Sequence, residues 1–267
     1  MGKTIVSWSP IHGQGATTTN TVSLASVFSI EYQVRSLLTH TQLTYSSMES
    51  LLGKDLRGAG FEQTGIQALE RLYKSKLLKA EAVEDYTETI YRNRLDMLGG
   101  SSKATDKGLL EDVLAVTKHV YDTVWIDAHS GVRNFTTVSL LEAADVVLVN
   151  LPQNRFVLDD FFNGDYLPEE VKNKKIIILL SIYDSDSTFS IRKIKRKYNI
   201  KCPIFPIPYS YHLKDASNQQ KVSDFFLRQV GLGKKSPSHE FIQSLQDVTL
   251  HIAKELEFIG HKEEDKE

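Results

Sequence analysis

The residues of this sequence best suited to bind an anion lie between the first apolar run, 3–8, and a helical pattern that begins at Thr17. Glycines let a backbone approach a phosphate closely, the N–H groups of a helix N-terminus attract an anion, and a threonine hydroxyl can bind Mg²⁺. We therefore predict a phosphate-binding turn at this place. Its residues are His12, Gly13, Gln14, Gly15, Ala16, Thr17 and Thr18.

This turn matches the common phosphate-loop pattern G-x-x-x-x-G-K-[ST] only in part. Gly15 and Thr17 match, whereas Pro10 replaces the first glycine and Ala16 replaces the lysine. Taken alone, these residues fit a tight strand-to-helix turn with a threonine cap and no ligand equally well. His12 could add positive charge when protonated, although a histidine in a turn is more often only a polar turn residue.

The elements that must position this turn follow an alternating pattern, in which short apolar runs are separated by longer helical stretches. Several runs are apolar at consecutive positions, which indicates strands buried on both faces. We predict an α/β fold, a three-layer sandwich with a mostly parallel, doubly wound sheet flanked by helices. The predicted strands are 3–8, 35–39, 122–128, 144–151, 175–182 and 203–207. The predicted helices are 17–30, 64–78, 107–120, 135–142, 153–162, 188–198, 217–229 and 238–259.

We assign residues 1–260 to a single domain, and residues 261–267 to a charged, disordered tail without apolar residues. Between these limits, the segment 53–107 has the least regular pattern. It carries several basic residues among scattered apolar ones, and we interpret it as helical excursions from the same domain.

Composition excludes several classes of protein. The chain has 267 residues, a formal net charge of −2 and 41% apolar residues, so it is not basic throughout, as many nucleic-acid-binding proteins are. Its one cysteine, Cys202, rules out an internal disulfide framework. No apolar run reaches the roughly 18 residues that a membrane span needs, and the first residues do not resemble a signal peptide. We therefore expect a cytoplasmic protein.

A dense basic stretch lies on the predicted helix 188–198. Such a run is commonly a solvated helix face, but it can also contact DNA phosphates, anionic lipid or an acidic partner. The candidate residues for this contact are Arg192, Lys193, Lys195, Arg196 and Lys197. The last helix carries an apolar stripe, which we interpret as packing rather than a membrane anchor because acidic residues follow it.

Four segments, taken in order, resemble the MinD and ParA group of P-loop ATPases, which also includes TadZ. Residues 11–18 resemble the loop K-G-G-x-G-K-T-T, and residues 121–127 resemble a strand of the form YDxIxID. Residues 143–152 echo the pattern AADxVxxVxxP, and residues 204–209 look like the final strand and adenine-side loop. The similarity covers most of residues 1–230. It implies the fold of this group.

The resemblance also implies ligands. ATP and Mg²⁺ would be bound by the turn described above, with Thr17 and Asp127 at the metal and with Pro208 and Tyr209 beside the adenine. A dimer would form through the face that carries residues 11–17 and 127–135.

The sequence departs from this group at its charged positions. Ala16 and Ile11 stand where the family has two lysines that contact phosphates, and Thr39 and Thr41 stand where its second strand has aspartates. Loss of one well-placed charge typically lowers the rate of the catalysed reaction, here ATP hydrolysis, about 100- to 1,000-fold. The resemblance with these departures implies a TadZ-like pseudo-ATPase with a degenerate phosphate loop.

Three functions remain open at this stage. The first is a homodimer that positions a partner assembly, such as pilus or secretion machinery or a DNA cargo, with at most peripheral membrane contact. The second is an active ParA/MinD-type ATPase for plasmid or chromosome partitioning, whose missing charges come from Lys3, Arg133 or a partner protein. The third is a partition protein that acts mainly by non-specific DNA binding.

Overall fold

The computed structural model describes residues 1–42, 46–54, 65–100, 107–131, 134–163 and 168–258. Within them, eight strands form one sheet in the order β3-β4-β2-β5-β1-β6-β7-β8. Every neighbouring pair is parallel except β3 and β4, which form an antiparallel hairpin. The strands are β1 Lys3–Trp8, β2 Ser36–His40, β3 Glu88–Tyr91, β4 Leu95–Leu98, β5 Thr123–Asp127, β6 Val146–Pro152, β7 Lys175–Tyr183 and β8 Ile204–Pro208.

Helices cover both faces of the sheet. The α-helices of the described residues are α1 Thr17–Glu31, α2 Met48–Leu51, α3 Gly65–Lys74, α4 Ala80–Glu84, α5 Lys107–Val120, α6 Phe135–Ala143, α7 Arg155–Asn163, α8 Ile191–Lys197, α9 Tyr211–Asn218, α10 Val222–Leu232 and α11 His239–Glu255. Apolar residues of α1, α9, α10 and α11 pack on one face, and those of α3, α5, α6, α7 and α8 pack on the other. The predicted three-layer α/β sandwich is confirmed.

Alternation of side chains within the buried strands divides the core in two. In β1, Ile5 belongs to the α1 side and Val6 to the α5 side; in β5, Trp125 lies on the α1 side and Val124 on the other. Both faces of these central strands are therefore apolar, as the consecutive apolar runs predicted.

The prediction for the segment 53–107 was wrong in part. It does contain α3 and α4, but it also supplies the β3–β4 hairpin, which extends the sheet beyond β2. The prediction of one helix over 217–229 was also wrong: α9 and α10 are separate helices, and Gln220 between them has a left-handed φ of 56°. The tail 261–267, together with residues 259 and 260, lies outside the described residues.

None of the helices in the described ranges has the length and apolar content that crossing a bilayer requires.

Candidate nucleotide-binding site at the carboxyl edge of the sheet

The predicted phosphate-binding turn connects β1 to α1 at the carboxyl edge of the sheet. Strand β1 lies between β5 and β6, and α1 begins at Thr17, directly after the turn. Two turn residues have left-handed backbones, Gly13 with φ 73° and Ala16 with φ 48°. The first N–H groups of a helix have no partner within the helix, so those of α1 are available to an anion at this turn.

Gly15 is required by a close approach of two segments. A Cβ atom at this position would lie 2.6 Å from Ser9 Oγ and 3.0 Å from the carbonyl oxygen of Asn150, too close for any side chain. The turn is thus folded tightly against the end of β6. This explains why a glycine stands at the position that the phosphate-loop pattern also requires.

Asp127 ends β5 beside the start of α1. Its side chain is fully buried, and Thr18 Oγ1 donates a hydrogen bond of 2.6 Å to its Oδ2. Its Oδ1 is buried without a hydrogen-bond partner among the described residues. Burial raises the pKa of Asp127 to about 6, although the hydrogen bond from Thr18 opposes this change. A buried carboxylate oxygen without a donor is an unusual feature that a cation or an ordered water would satisfy.

Two histidines face each other across the turn. His12 lies in the β1–α1 turn and His129 follows β5, and their ring centroids are 4.9 Å apart. The pKa of His129 is lowered, chiefly by burial and secondly by His12. The β5–α6 connection is held to β1 because Trp8 Nε1 donates to the carbonyl oxygen of Gly131 at 2.9 Å.

A buried amide network supports the base of the site. Asn20, one turn into α1, donates to Asn150 Oδ1 and to Ser181 Oγ, both at 2.8 Å. Asn150 in turn donates to Ser7 Oγ at 2.9 Å. This network joins α1 to the ends of β1, β6 and β7, so it fixes where the helix N-terminus points.

A cavity of about 280 Å³ opens beside the same helix end. Ala16 and Asn20 line it from the turn and α1, and Pro208 and Tyr209 line it from the end of β8. The structure therefore brings Pro208 and Tyr209 next to the turn. Sequence reasoning missed Lys214, which lines this cavity with Ala16, because the predicted helix began at residue 217 and α9 begins at Tyr211.

Of the other basic residues, His40 lies next to Asp127, because the two are paired in the β2–β5 register. His40 is buried, and its Nε2 lies 2.8 Å from Glu49 Oε1, which also accepts the N–H of Gly100. Lys3 stands at the amino end of β1, five residues or roughly 16 Å from the turn at the other end of the strand. Arg133 lies outside the described residues.

The predicted basic patch belongs to α8, between β7 and β8. Arg192, Lys193, Lys195 and Arg196 are exposed. Lys197 instead forms an ion pair with Asp159 and contacts the Tyr198 hydroxyl. Among the described residues, an ion pair is therefore seen for one of the five, and the patch consists of the other four on α8.

Searches of family models and of curated proteins found no match. Solved structures do match over nearly the whole chain. A ParA family ATPase from Chlorobium tepidum TLS superposes with a TM-score of 0.73 at 15% identity, covering 94% of this chain and 100% of the other. The chain has the fold of the ParA and MinD ATPases.

Two MinD structures extend this finding. The septum site-determining protein MinD with Mg-ADP from Pyrococcus horikoshii OT3 gives a TM-score of 0.67 at 15% identity, covering 96% of this chain and 99% of the other. A chain of the MinC:MinD cell division protein complex of Aquifex aeolicus gives a TM-score of 0.69 at 16% identity, covering 94% of this chain and 96% of the other. At these identities the likeness concerns the fold.

Proposed function

We propose that this chain binds ATP with Mg²⁺ at the β1–α1 turn and hydrolyses it slowly or not at all. The observation that carries this proposal is the buried Asp127, whose Oδ1 has no donor among the described residues although the carboxylate lies against the start of α1. Thr17 would bind the metal directly, Asp127 would hold one of its waters, and the turn would surround the phosphates. Mg²⁺ would neutralise phosphate charge there.

Slow hydrolysis follows from the charges at the turn. Ala16 and Ile11 offer no cation to the phosphates, while Thr39 and Thr41 offer no carboxylate to a water. Phosphoryl transfer depends on positioning and on stabilisation of negative charge, so backbone N–H groups alone can retain the ligand without accelerating its cleavage.

Calorimetric titration with ATP and Mg²⁺ tests this proposal. We expect binding to the wild-type chain, and weaker binding to Asp127→Asn in the presence of Mg²⁺ only. Hydrolysis should stay near the level without protein. Turnover comparable to that of active ATPases of this fold would contradict the proposed loss of activity, and absence of any nucleotide binding would contradict the proposed site.

We infer a positioning role for the nucleotide-bound chain, as a cytoplasmic homodimer of the TadZ-like kind that locates a pilus or secretion assembly or a DNA cargo. Exposed apolar side chains support a protein interface at the carboxyl edge. Phe135, Phe156 and Tyr211 are 59%, 80% and 61% exposed, and each follows the carboxyl end of a strand. The same edge carries the β1–α1 turn, so nucleotide and interface would be adjacent.

One observation favours the alternative, an active partitioning ATPase. Lys214 lines the cavity beside Ala16 and could supply a cation from a different element. In that case Lys214→Ala should abolish turnover, Lys214→Arg should retain it, and the exposed Lys221→Ala should leave it unchanged. If none of these variants hydrolyses ATP when the partner protein of the partitioning system is present, the alternative is excluded.

A further inference from the structure

The His12–His129 pair has a geometry that nucleotide binding does not explain. The two rings come from different connections, lie 4.9 Å apart between centroids and are inclined by 57°. His12 is exposed, and His129 is half-buried. Two imidazoles that bind one tetrahedral ion at about 2.1 Å place their ring centroids about 5 Å apart. The observed separation of 4.9 Å is compatible with two ligands of a single metal ion, although packed rings also show such distances.

The orientation of His129 is fixed by several contacts. Its Nδ1 lies 3.3 Å from Gln42 Oε1, and the amide nitrogen of Gln42 donates to the carbonyl oxygen of Ala128 at 3.2 Å. The Gln42 oxygen can only accept, so Nδ1 carries the proton and Nε2 keeps its lone pair. Metal-binding histidines are commonly held in this way, with one nitrogen on the ion and the other donating to a fixed oxygen.

The backbone of His129 is restrained as well. Its N–H donates to Thr41 Oγ1 at 3.4 Å, and its carbonyl oxygen accepts from Thr137 Oγ1 at 2.9 Å. One ligand is thus held in place before a metal arrives, while the exposed ring of His12 can adjust to the ion. Partial preorganisation of this kind lowers the entropic cost of binding.

We propose that His12 and His129 bind a divalent transition-metal ion of the zinc class through their free ring nitrogens. Among the described residues, no group of three or more His, Cys, Asp or Glu side chains is arranged to hold a metal. The described residues would therefore supply two ligands, and water would complete the coordination. Imidazole suits zinc, nickel and copper, whereas Mg²⁺ prefers oxygen, so this site is distinct in chemistry from the proposed Mg²⁺ site at Thr17 and Asp127.

Zinc titration of the full chain without a histidine tag tests this proposal. Calorimetry with zinc chloride in excess Mg²⁺, which occupies oxygen sites, should show one zinc ion bound per chain. His12→Ala and His129→Ala should each weaken binding more than about 10-fold, and Gln42→Ala should weaken it about 10- to 100-fold because it frees the ring of His129. His119→Ala is the matched control, since His119 is exposed in the last turn of α5 and should not affect binding.

The double variant His12→Ala/His129→Ala decides the result. His12 is exposed, so its removal should not disturb folding, and His129→Asn provides a second variant that keeps a polar side chain. Zinc binding by the double variant with wild-type affinity would overturn the proposal, as would a wild-type chain that binds no zinc. Neither result depends on ATP, so the proposed nucleotide site can fail or succeed independently.

Discussion

At the scale of single residues, Asp127 combines burial with an incomplete set of hydrogen bonds. Complete burial opposes its ionisation, and only one of its two oxygens has a donor among the described residues. A carboxylate in such a place lowers the stability of the folded chain unless a ligand compensates it. This conflict between stability and chemistry is typical of functional sites.

The stability of the chain should therefore depend on the ionisation of Asp127. Its pKa rises from 3.8 to about 6 on folding, so between these pH values the folded state binds more protons than the unfolded state. The free energy of unfolding should fall as the pH rises through this window, by up to about 3 kcal/mol from this group. Asp127→Asn should remove this part of the pH dependence and stabilise the chain above pH 6, as measured by urea denaturation.

Comparison of the wild-type chain with Asp127→Asn at several pH values contains its own control. At the acidic end of the window both side chains are neutral, so their stabilities should converge there. Equal stabilities throughout, or a variant that is less stable at neutral pH, would contradict the assignment of a raised pKa to Asp127.

Gly15 offers a test of the turn itself. Gly15→Ala places a Cβ atom against Ser9 Oγ and the carbonyl of Asn150, and we expect it to cost about 1 to 3 kcal/mol of stability and to weaken ATP binding. Gly231→Ala is the control, because a Cβ there meets nothing within 4 Å and the residue lies in α10. Thermal unfolding and nucleotide titration of both variants measure the two effects. Unchanged stability in Gly15→Ala would show that the turn is looser than described.

Some of these residues were predictable from the sequence and others were not. Gly15 and Thr17 form a local pattern directly after a strand, so spacing alone singled them out. Asn20 and Lys214 carry no local signature, because their roles arise from contacts with β6, β7 and the cavity wall. Such contacts join residues far apart in the chain, and local patterns in a single sequence do not predict them.

At the scale of elements, the six longer parallel strands were predicted to within about two residues. Their consecutive apolar side chains reflect burial on both faces, which is a strong signal. The β3–β4 hairpin was missed because each strand has only four residues and includes a charged side chain, Glu88 or Asp96. Its pairing with β2 is a tertiary contact, which short runs of mixed polarity do not indicate.

Helix α8 carries the prediction at this scale. If its four exposed cations contact DNA, reversal to glutamate at Arg192, Lys193, Lys195 and Arg196 should abolish salt-sensitive DNA retention. Each cation removed should also make the negative slope of log affinity against log salt concentration shallower by about 0.9. Lys234→Glu/Lys235→Glu, a reversal at two exposed lysines elsewhere, is the control. Full retention by the α8 variant would reduce the patch to a solvated surface.

At the scale of the whole molecule, parallel strands bring the contacts proposed for the nucleotide to one edge. The turn follows β1, the residues of the β5–α6 connection follow β5, and the cavity wall follows β8. In open parallel sheets, ligands bind at the carboxyl ends of the strands for this reason. The exposed side chains of Phe135, Phe156 and Tyr211 follow strand ends at the same edge, so a ligand there can influence how two copies meet.

The last prediction concerns that association. With ATP and Mg²⁺, light scattering should show a mass about twice the 30.2 kDa of the chain, because bound nucleotide would complete a surface that already exposes Phe135 and Phe156. Phe135→Ser/Phe156→Ser should prevent this association with little change in thermal stability, because more than half of each side chain is exposed. Leu227→Ser, which removes an apolar side chain that is 52% exposed on α10, should leave the dimer intact. A nucleotide-bound chain that stays monomeric, or a dimer insensitive to the phenylalanine variants, would place the functional interface elsewhere.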